Sequence, residues 1–158
     1  MRLVLYQPDI PQNAGTLLRL AACMGVVADV IEPCGFLLSD RHFRRAGMDY
    51  LAQAQWVRHR SWTAYGDSRP GGRLVALTPK GEVPHVDYSF RPDDRLLVGQ
   101  ESTGLPADIE AVAAARVRVP MGAGLRSLNV AVAAAMVLGE ALRQTNLYPP
   151  SPSDPIRP

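Results

Sequence analysis

The chain predicts a single α/β domain built on a mostly parallel sheet flanked by helices. Short apolar strands alternate with helical stretches, and three strand ends in the C-terminal half open into loops rich in Pro and Gly. With 158 residues and 47% apolar composition, the chain can bury one good core and is too short for two ordinary domains.

Taken in order, residues 2–6 (Arg2-Leu3-Val4-Leu5-Tyr6) form an edge-to-core strand, and Pro8 and Pro11 keep the following loop extended. A helix is predicted from Gln12 or Asn13 to Met24, with Leu17, Leu20, Ala21 and Met24 on one face, Asn13 at its start and Gly25 at its stop. Residues 28–31 read as a second strand, and Pro33-Cys34-Gly35 as a turn. Ser39 then suits the N-cap of a short helix over residues 40–46. The i, i+3, i+4 spacing of Arg41, Arg44 and Arg45 puts three guanidinium groups on one exposed face, either a phosphate-sized patch or a solvated helix surface.

Residues 55–58 are strand-like, Ser61 caps a brief helix through Tyr65, and residues 67–72 form a turn cluster. A strand over 74–77 ends in the sharp turn Thr78-Pro79-Lys80-Gly81. A weakly structured stretch to Pro92 leads into a buried strand over 95–98. The loop Gly99-Gln100-Glu101-Ser102-Thr103-Gly104-Leu105-Pro106 precedes a short helix over residues 107–114.

The stretch 115–144 organises the chain. Residues 116–119 alternate polar and apolar as a strand does, and Pro120 closes the run. Gly122 and Gly124 supply loop backbone, and Ser127 and Asn129 stand before about five helical turns rich in Ala, Val, Met and Leu. A helix start of this kind, with its free N–H groups and positive dipole end, suits an oxygen-rich ligand. An ordinary strand, loop and capped helix has the same spacing, so this stretch alone leaves both open.

Composition excludes several classes. No run approaches the roughly 18 to 20 apolar residues of a membrane span, and the N-terminus reads as a strand without a cleavage site, so a cytoplasmic protein is expected. Cys23 and Cys34 lack C-x-x-C spacing, and His42, His59 and His85 are scattered, so neither disulfide nor metal is expected. The net charge is +2, and Lys80 is the single lysine among 17 basic residues. Arginine forks match phosphate and stack on bases, which fits RNA binding, although codon composition yields the same bias. There is no G-x-x-x-x-G-K-S/T and no G-x-G-x-x-G after the first strand, which argues against P-loop and Rossmann enzymes.

Three blocks stand together: Asn13-Ala14-Gly15-Thr16-Leu17-Leu18-Arg19, residues 99–106, and Val117-Arg118-Val119-Pro120-Met121 through Ser127-Leu128-Asn129. Their order and spacing resemble the three motifs of the SPOUT-class RNA 2′-O-ribose methyltransferases. The strings Leu3 to Asn13, Arg44 to Tyr50 and Ala76 to Gly81 are similar to the minimal subgroup acting on the wobble nucleotide of tRNA. The resemblance covers nearly the whole chain, residues 1–147, and leaves a Pro-rich tail, 148–158, expected to be disordered.

The resemblance implies a C-terminal half tied in a deep trefoil knot, an exception to the rule that chains are unknotted. It implies 2′-O-methylation of C34 or U34 of tRNA, with tRNA-Leu as the expected substrate. S-adenosylmethionine would be held in bent form by backbone at Leu77, Gly99, Val119, Ser127 and Leu128, with no metal. Arg19 takes the catalytic position, with Ser127 and Asn129 near it and Asn13 and Glu101 supporting; Arg41, Arg44 and Arg45 would meet RNA. A homodimer is implied, its first- and third-motif helices packed between subunits, so that Arg19 serves the partner's cofactor. A guanidinium is hard to deprotonate in a protein. The role of Arg19 is therefore open between general base and phosphate clamp.

The chain also departs from the pattern. Gln100 stands where the family usually has proline, and Ala131 and Val132 replace the subgroup's serine and asparagine. Asn129-Val130-Ala131-Val132 is more similar to the group methylating a guanosine of the tRNA D-loop. Another tRNA or rRNA nucleotide is thus an alternative target. A cofactor-keeping RNA-binding module without turnover, and a small-molecule methyltransferase, are the rival readings.

Overall fold

The computed structural model describes residues 1–38, 54–68 and 71–150. The expected helix over 40–46, its arginine face (Arg41, Arg44, Arg45) and residues 151–158 of the tail lie outside the described residues.

Among the described residues seven strands form one sheet: β1 (Arg2–Tyr6), β2 (Val27–Ile31), β3 (Trp56–His59), β4 (Leu74–Leu77), β5 (Val83–Pro84), β6 (Arg95–Val98) and β7 (Ala115–Arg118). Their order is β3-β2-β1-β6-β4-β7-β5, and every pairing is parallel. Four α-helices are described: α1 (Pro11–Cys23), α2 (Trp62–Ser68), α3 (Ala107–Ala111) and α4 (Val130–Thr145).

Successive strand residues point to opposite faces, and both faces are covered. Leu3, Leu5, Ala28, Val30, Val75, Leu96, Val98 and Val117 pack beneath α1 and α4. Val4, Tyr6, Ile31, Leu74 and Leu97 pack with Tyr65 of α2 and Ile109 of α3. β1 is an interior strand rather than one leading in from the edge, because β2 and β6 flank it.

The second face also holds the buried charges. Asp29, 1% exposed, accepts from Arg2 Nε and Nη2 at 2.7 and 2.8 Å and lies 2.8 Å from His59 Nε2. Two donors at one carboxylate supply the hydrogen bonds that a buried charge needs. Arg95, 3% exposed, donates to the Tyr65 hydroxyl and the Gly72 carbonyl.

Several element boundaries differ from the sequence expectation for local reasons. Helix α1 starts at Pro11, because proline is preorganised for a first helical position whose N–H would be unpaired anyway. Its buried stripe is Ala14, Leu17, Leu18 and Ala21, with Leu20 and Met24 half-buried at the margin. Gly25 ends it at φ 65°. Ser61 Oγ accepts from Ala64 N at 3.1 Å and caps α2, which runs on through Asp67 and Ser68, where turn was expected. The stretch after Gly81 contains β5 and a 3-10 turn, His85–Asp87. Two residues of pairing against β7 are too short to leave a period in the sequence.

Candidate active site

The strand order reverses direction between β1 and β6. The chain leaves β1 toward β2 on one side and leaves β6 for β7 on the other. Such a switch point leaves a crevice beyond the carboxyl ends of the strands. A cleft of about 660 Å³ lies there, lined by the loops after β4, β6 and β7 and by Ile10 and Asn13 from the start of α1. Its size is that of a small-ligand site.

The β4 loop is a tight turn in which Gly81 N donates to Thr78 O at 3.0 Å. A Cβ at Gly81 would come 2.4 Å from the Val117 carbonyl carbon, so the turn sits directly on β7. Arg118 Nη1 braces it, donating to the carbonyls of Gly81 and Glu82. The turn thereby brings Leu77, Thr78 and Lys80 to the cleft.

The β6 loop folds back on itself. Gln100 N donates to Gly104 O at 3.2 Å, Gly104 N to Gln100 O at 2.9 Å, and Gly104 takes φ 74°. A Cβ at Gly99 would stand 2.5 Å from the Gly104 carbonyl carbon, which explains why glycine occupies that position. Gln100 uses its N–H in this closure, a bond that proline could not make. Its side chain accepts from Thr103 Oγ1.

The β7 loop, residues 119–129, is largely exposed and runs from buried Val119 to Asn129. Asn129, not Ser127, caps α4. Its Oδ1 accepts from Ala131 N at 2.9 Å and Val132 N at 3.3 Å, while its Nδ2 donates to Asn13 Oδ1 at 3.0 Å. One residue thus starts the helix and ties it to α1. Asn129→Ala removes both the cap and the bond to Asn13, and loss of the cap is expected to cost about 1 kcal/mol, read as a lower thermal midpoint. An unchanged midpoint would remove the cap from the account.

Glu101 is half-buried in the cleft wall. Its amide donates to Asp9 Oδ1 at 2.9 Å, and its Oε2 accepts from Asp9 N at 3.2 Å. Burial, reinforced by neighbouring Asp9, pushes the Glu101 carboxyl above the ordinary glutamate value. For Asp9, burial works upward, but bonds from Glu101 and Ser102 outweigh it and hold the group at about 2. The loop after β1 is therefore joined to the loop after β6.

The structure brings most of the expected residues together. Leu77, Gly99, Val119, Ser127 and Leu128, expected at a cofactor, all line the cleft, as do Asn13, Glu101 and Asn129. Arg19 is not among the lining residues. It is half-buried on α1, six residues beyond Asn13, or roughly 9 Å along the helix axis. Thr78, Lys80, Thr103, Glu110 and Arg126 also line the cleft. Sequence reasoning gave none of them an individual role in the site, since single polar residues in loops carry no periodic signal. Among the described residues no group of three or more His, Cys, Asp or Glu could hold a metal ion, and no helix is long and apolar enough to cross a membrane.

An all-parallel sheet with a cleft at its switch point, walled by glycine-bearing loops, defines an α/β protein that binds a small ligand beyond its strand ends. The chain belongs to the SpoU rRNA Methylase family, whose profile matches residues 1–139. It is 62% identical over 144 residues to a protein of Beijerinckia indica subsp. indica named tRNA (cytidine(34)-2'-O)-methyltransferase, covering 90% of each chain. It is 40% identical over 151 residues to the protein of that name from Escherichia coli (strain K12), covering 94% of this chain and 96% of the other. A solved structure described as "Structural insights into the 2-OH methylation of C/U34 on tRNA" superposes with TM-score 0.87 at 43% identity, over 90% of this chain and 94% of that one. The SpoU methyltransferase AviRb from Streptomyces viridochromogenes, solved with the cofactor AdoMet, superposes with TM-score 0.83 at 26% identity, over 91% of this chain and 60% of that one.

Proposed function

We propose that the chain transfers a methyl group from S-adenosylmethionine to the 2′-oxygen of the ribose at nucleotide 34 of tRNA. The observation that carries this reading is the cleft itself, in which eight of the expected site residues converge, in a chain that matches relatives of that name along nine-tenths of its length. The residues suit the cofactor: Leu77, Val119 and Leu128 offer apolar surface to a purine and to the carbons of the methionine chain, and Thr78, Thr103 and loop backbone offer polar partners. When bound, S-adenosylmethionine would supply an electrophilic sulfonium methyl for the 2′-oxygen, the sulfur leaving as a neutral thioether and the hydroxyl proton passing to water.

The chain's own residues supply alignment. The rigid turns after β4 and β6 fix the cleft walls, and the Asn13–Asn129 bond fixes the start of α1 against the start of α4. Holding reactants in line contributes several kcal/mol to such a displacement. Arg19 acts as a fixed cation that binds the phosphate beside the target ribose and favours loss of the 2′-proton. A guanidinium stays charged at neutral pH, which makes it a better clamp than base.

The same reading includes a homodimer. Val132 (51% exposed) and Met136 (44% exposed) lie one turn apart on α4, an apolar stripe beside Leu128 at the cleft rim. Packing α1 and α4 between two copies covers that stripe and carries Arg19 of one copy to the cleft of the other. The mass in solution is expected to be twice 17.2 kDa by sedimentation equilibrium; a monomer at micromolar concentration would contradict the arrangement. The knot, one domain over residues 1–147 with a separate tail, tRNA-Leu as substrate, RNA contacts from Arg41, Arg44 and Arg45, and a cytoplasmic location belong to this proposal.

A direct test compares methyl transfer to a tRNA bearing a ribonucleotide at position 34 with transfer to the same tRNA bearing a 2′-deoxynucleotide there. Transfer to the first and none to the second is expected. Equal transfer to both would move the target elsewhere.

A further inference from the structure

Asp9 stands where two of the cleft's loops meet, and every polar atom of its side chain is engaged. Oδ1 accepts from Glu101 N at 2.9 Å; Oδ2 accepts from Ser102 N at 3.3 Å and from the Ser102 hydroxyl. Its own amide donates to Glu101 Oε2 at 3.2 Å. A carboxylate that accepts from consecutive backbone amides fixes the loop's direction as well as its position. The remaining Glu101 oxygen, Oε1, is buried and has no hydrogen-bond partner among the described residues, and Glu101 lines the cleft. A buried oxygen left so is destabilising unless a ligand donor meets it.

The position is built from a third side. Gly35 N donates to Pro8 O at 3.0 Å, and a Cβ at Gly35 would lie 2.8 Å from Asp9 Cα. The absence of a side chain at 35 is thus what allows Asp9 to sit against the Glu101 loop.

We propose that Asp9 is a positioning residue of the methyl-transfer site, which holds the Glu101 loop so that Glu101 Oε1 meets an N–H or O–H donor of the bound reactants. The inference rests on the methyltransferase reading. The donor belongs either to the tRNA, as the ribose 2′-hydroxyl does, or to S-adenosylmethionine, as its ammonium group does. The effect separates them: loss in kcat and in KM for tRNA identifies the tRNA hydroxyl, and loss in cofactor affinity identifies a donor of S-adenosylmethionine.

The test uses Asp9→Asn, whose amide cannot replace a carboxylate that accepts on both oxygens, and Gly35→Ala, which keeps the carboxylate but displaces it. Each is assayed for methyl transfer to tRNA, for S-adenosylmethionine affinity by calorimetry, and for amide exchange across residues 99–106. Both variants are expected to lose about 10- to 100-fold in one of those two kinetic or binding terms, with Gly35→Ala the milder, and to exchange the 99–106 amides faster while remaining folded. Wild-type exchange in a folded Asp9→Asn protein would overturn the proposal, as would a lower thermal midpoint with unaltered kcat, KM and affinity. If the wild-type protein itself transfers no methyl to tRNA, the functional reading falls, and the exchange measurement still decides whether Asp9 positions the loop.

Discussion

Arg19→Lys keeps the charge but lowers methyl transfer by roughly 10²- to 10⁴-fold, with S-adenosylmethionine affinity within about twofold of the wild type. Lysine offers a point charge where the arginine fork grips phosphate through two parallel bonds. The second half of that expectation follows from the proposed role, because Arg19 grips RNA phosphate while the loops after β4, β6 and β7 hold the cofactor. Mixed dimers sharpen the test. If Arg19 works across the interface, an inactive Arg19→Lys chain paired with a cleft-defective chain regains about half of the sites that one wild-type dimer contains. Near-normal turnover in the homogeneous variant would remove Arg19 from the mechanism.

Gly99→Ala has the second large effect, and it acts on cofactor binding instead. The added Cβ would meet the Gly104 carbonyl carbon at 2.5 Å and the Leu105 nitrogen at 2.6 Å, both backbone atoms that cannot rotate away. The loop must open, and the Gln100–Gly104 pairing that shapes the cleft wall breaks with it. Overpacking of this kind costs about 1–3 kcal/mol, which corresponds to roughly 5- to 150-fold in affinity when it falls on the bound state. Calorimetric titration with S-adenosylmethionine measures it directly. Wild-type affinity in Gly99→Ala would show that the β6 loop does not hold the cofactor.

The elements that position the site were legible because they obey strong local rules. β6 and β4 are short apolar runs bounded by Gly and Pro, and α4 announces itself by Asn129 before a long Ala-rich stretch. The three loops of the cleft were legible as a set through the family resemblance, not through spacing. Their convergence depends on the strand order β1-β6-β4-β7, which no local pattern encodes.

What escaped the sequence has physical reasons. β5 is two residues long, below any period. Asp9 in Gln7-Pro8-Asp9-Ile10-Pro11 looks like a loop residue, because its partners Glu101 and Ser102 are more than ninety positions away. The polar face of β1, β2 and β3, where Asp29 joins Arg2 and His59, was invisible for the same reason: long-range pairing makes a buried charge tolerable, and the sequence shows only the charge. Ser127 was expected to share the capping of α4, but Asn129 alone meets the first free amides.

The most direct test of the central claim is nucleoside mass spectrometry of tRNA-Leu, unmodified at nucleotide 34, after incubation with the purified protein and S-adenosylmethionine, with the methylated ribose mapped to its position. The account predicts a single 2′-O-methyl group at nucleotide 34, formed at least about 100-fold more slowly by Arg19→Lys at equal protein concentration. A methyl group on a base, or on a ribose elsewhere with nucleotide 34 untouched, would contradict it.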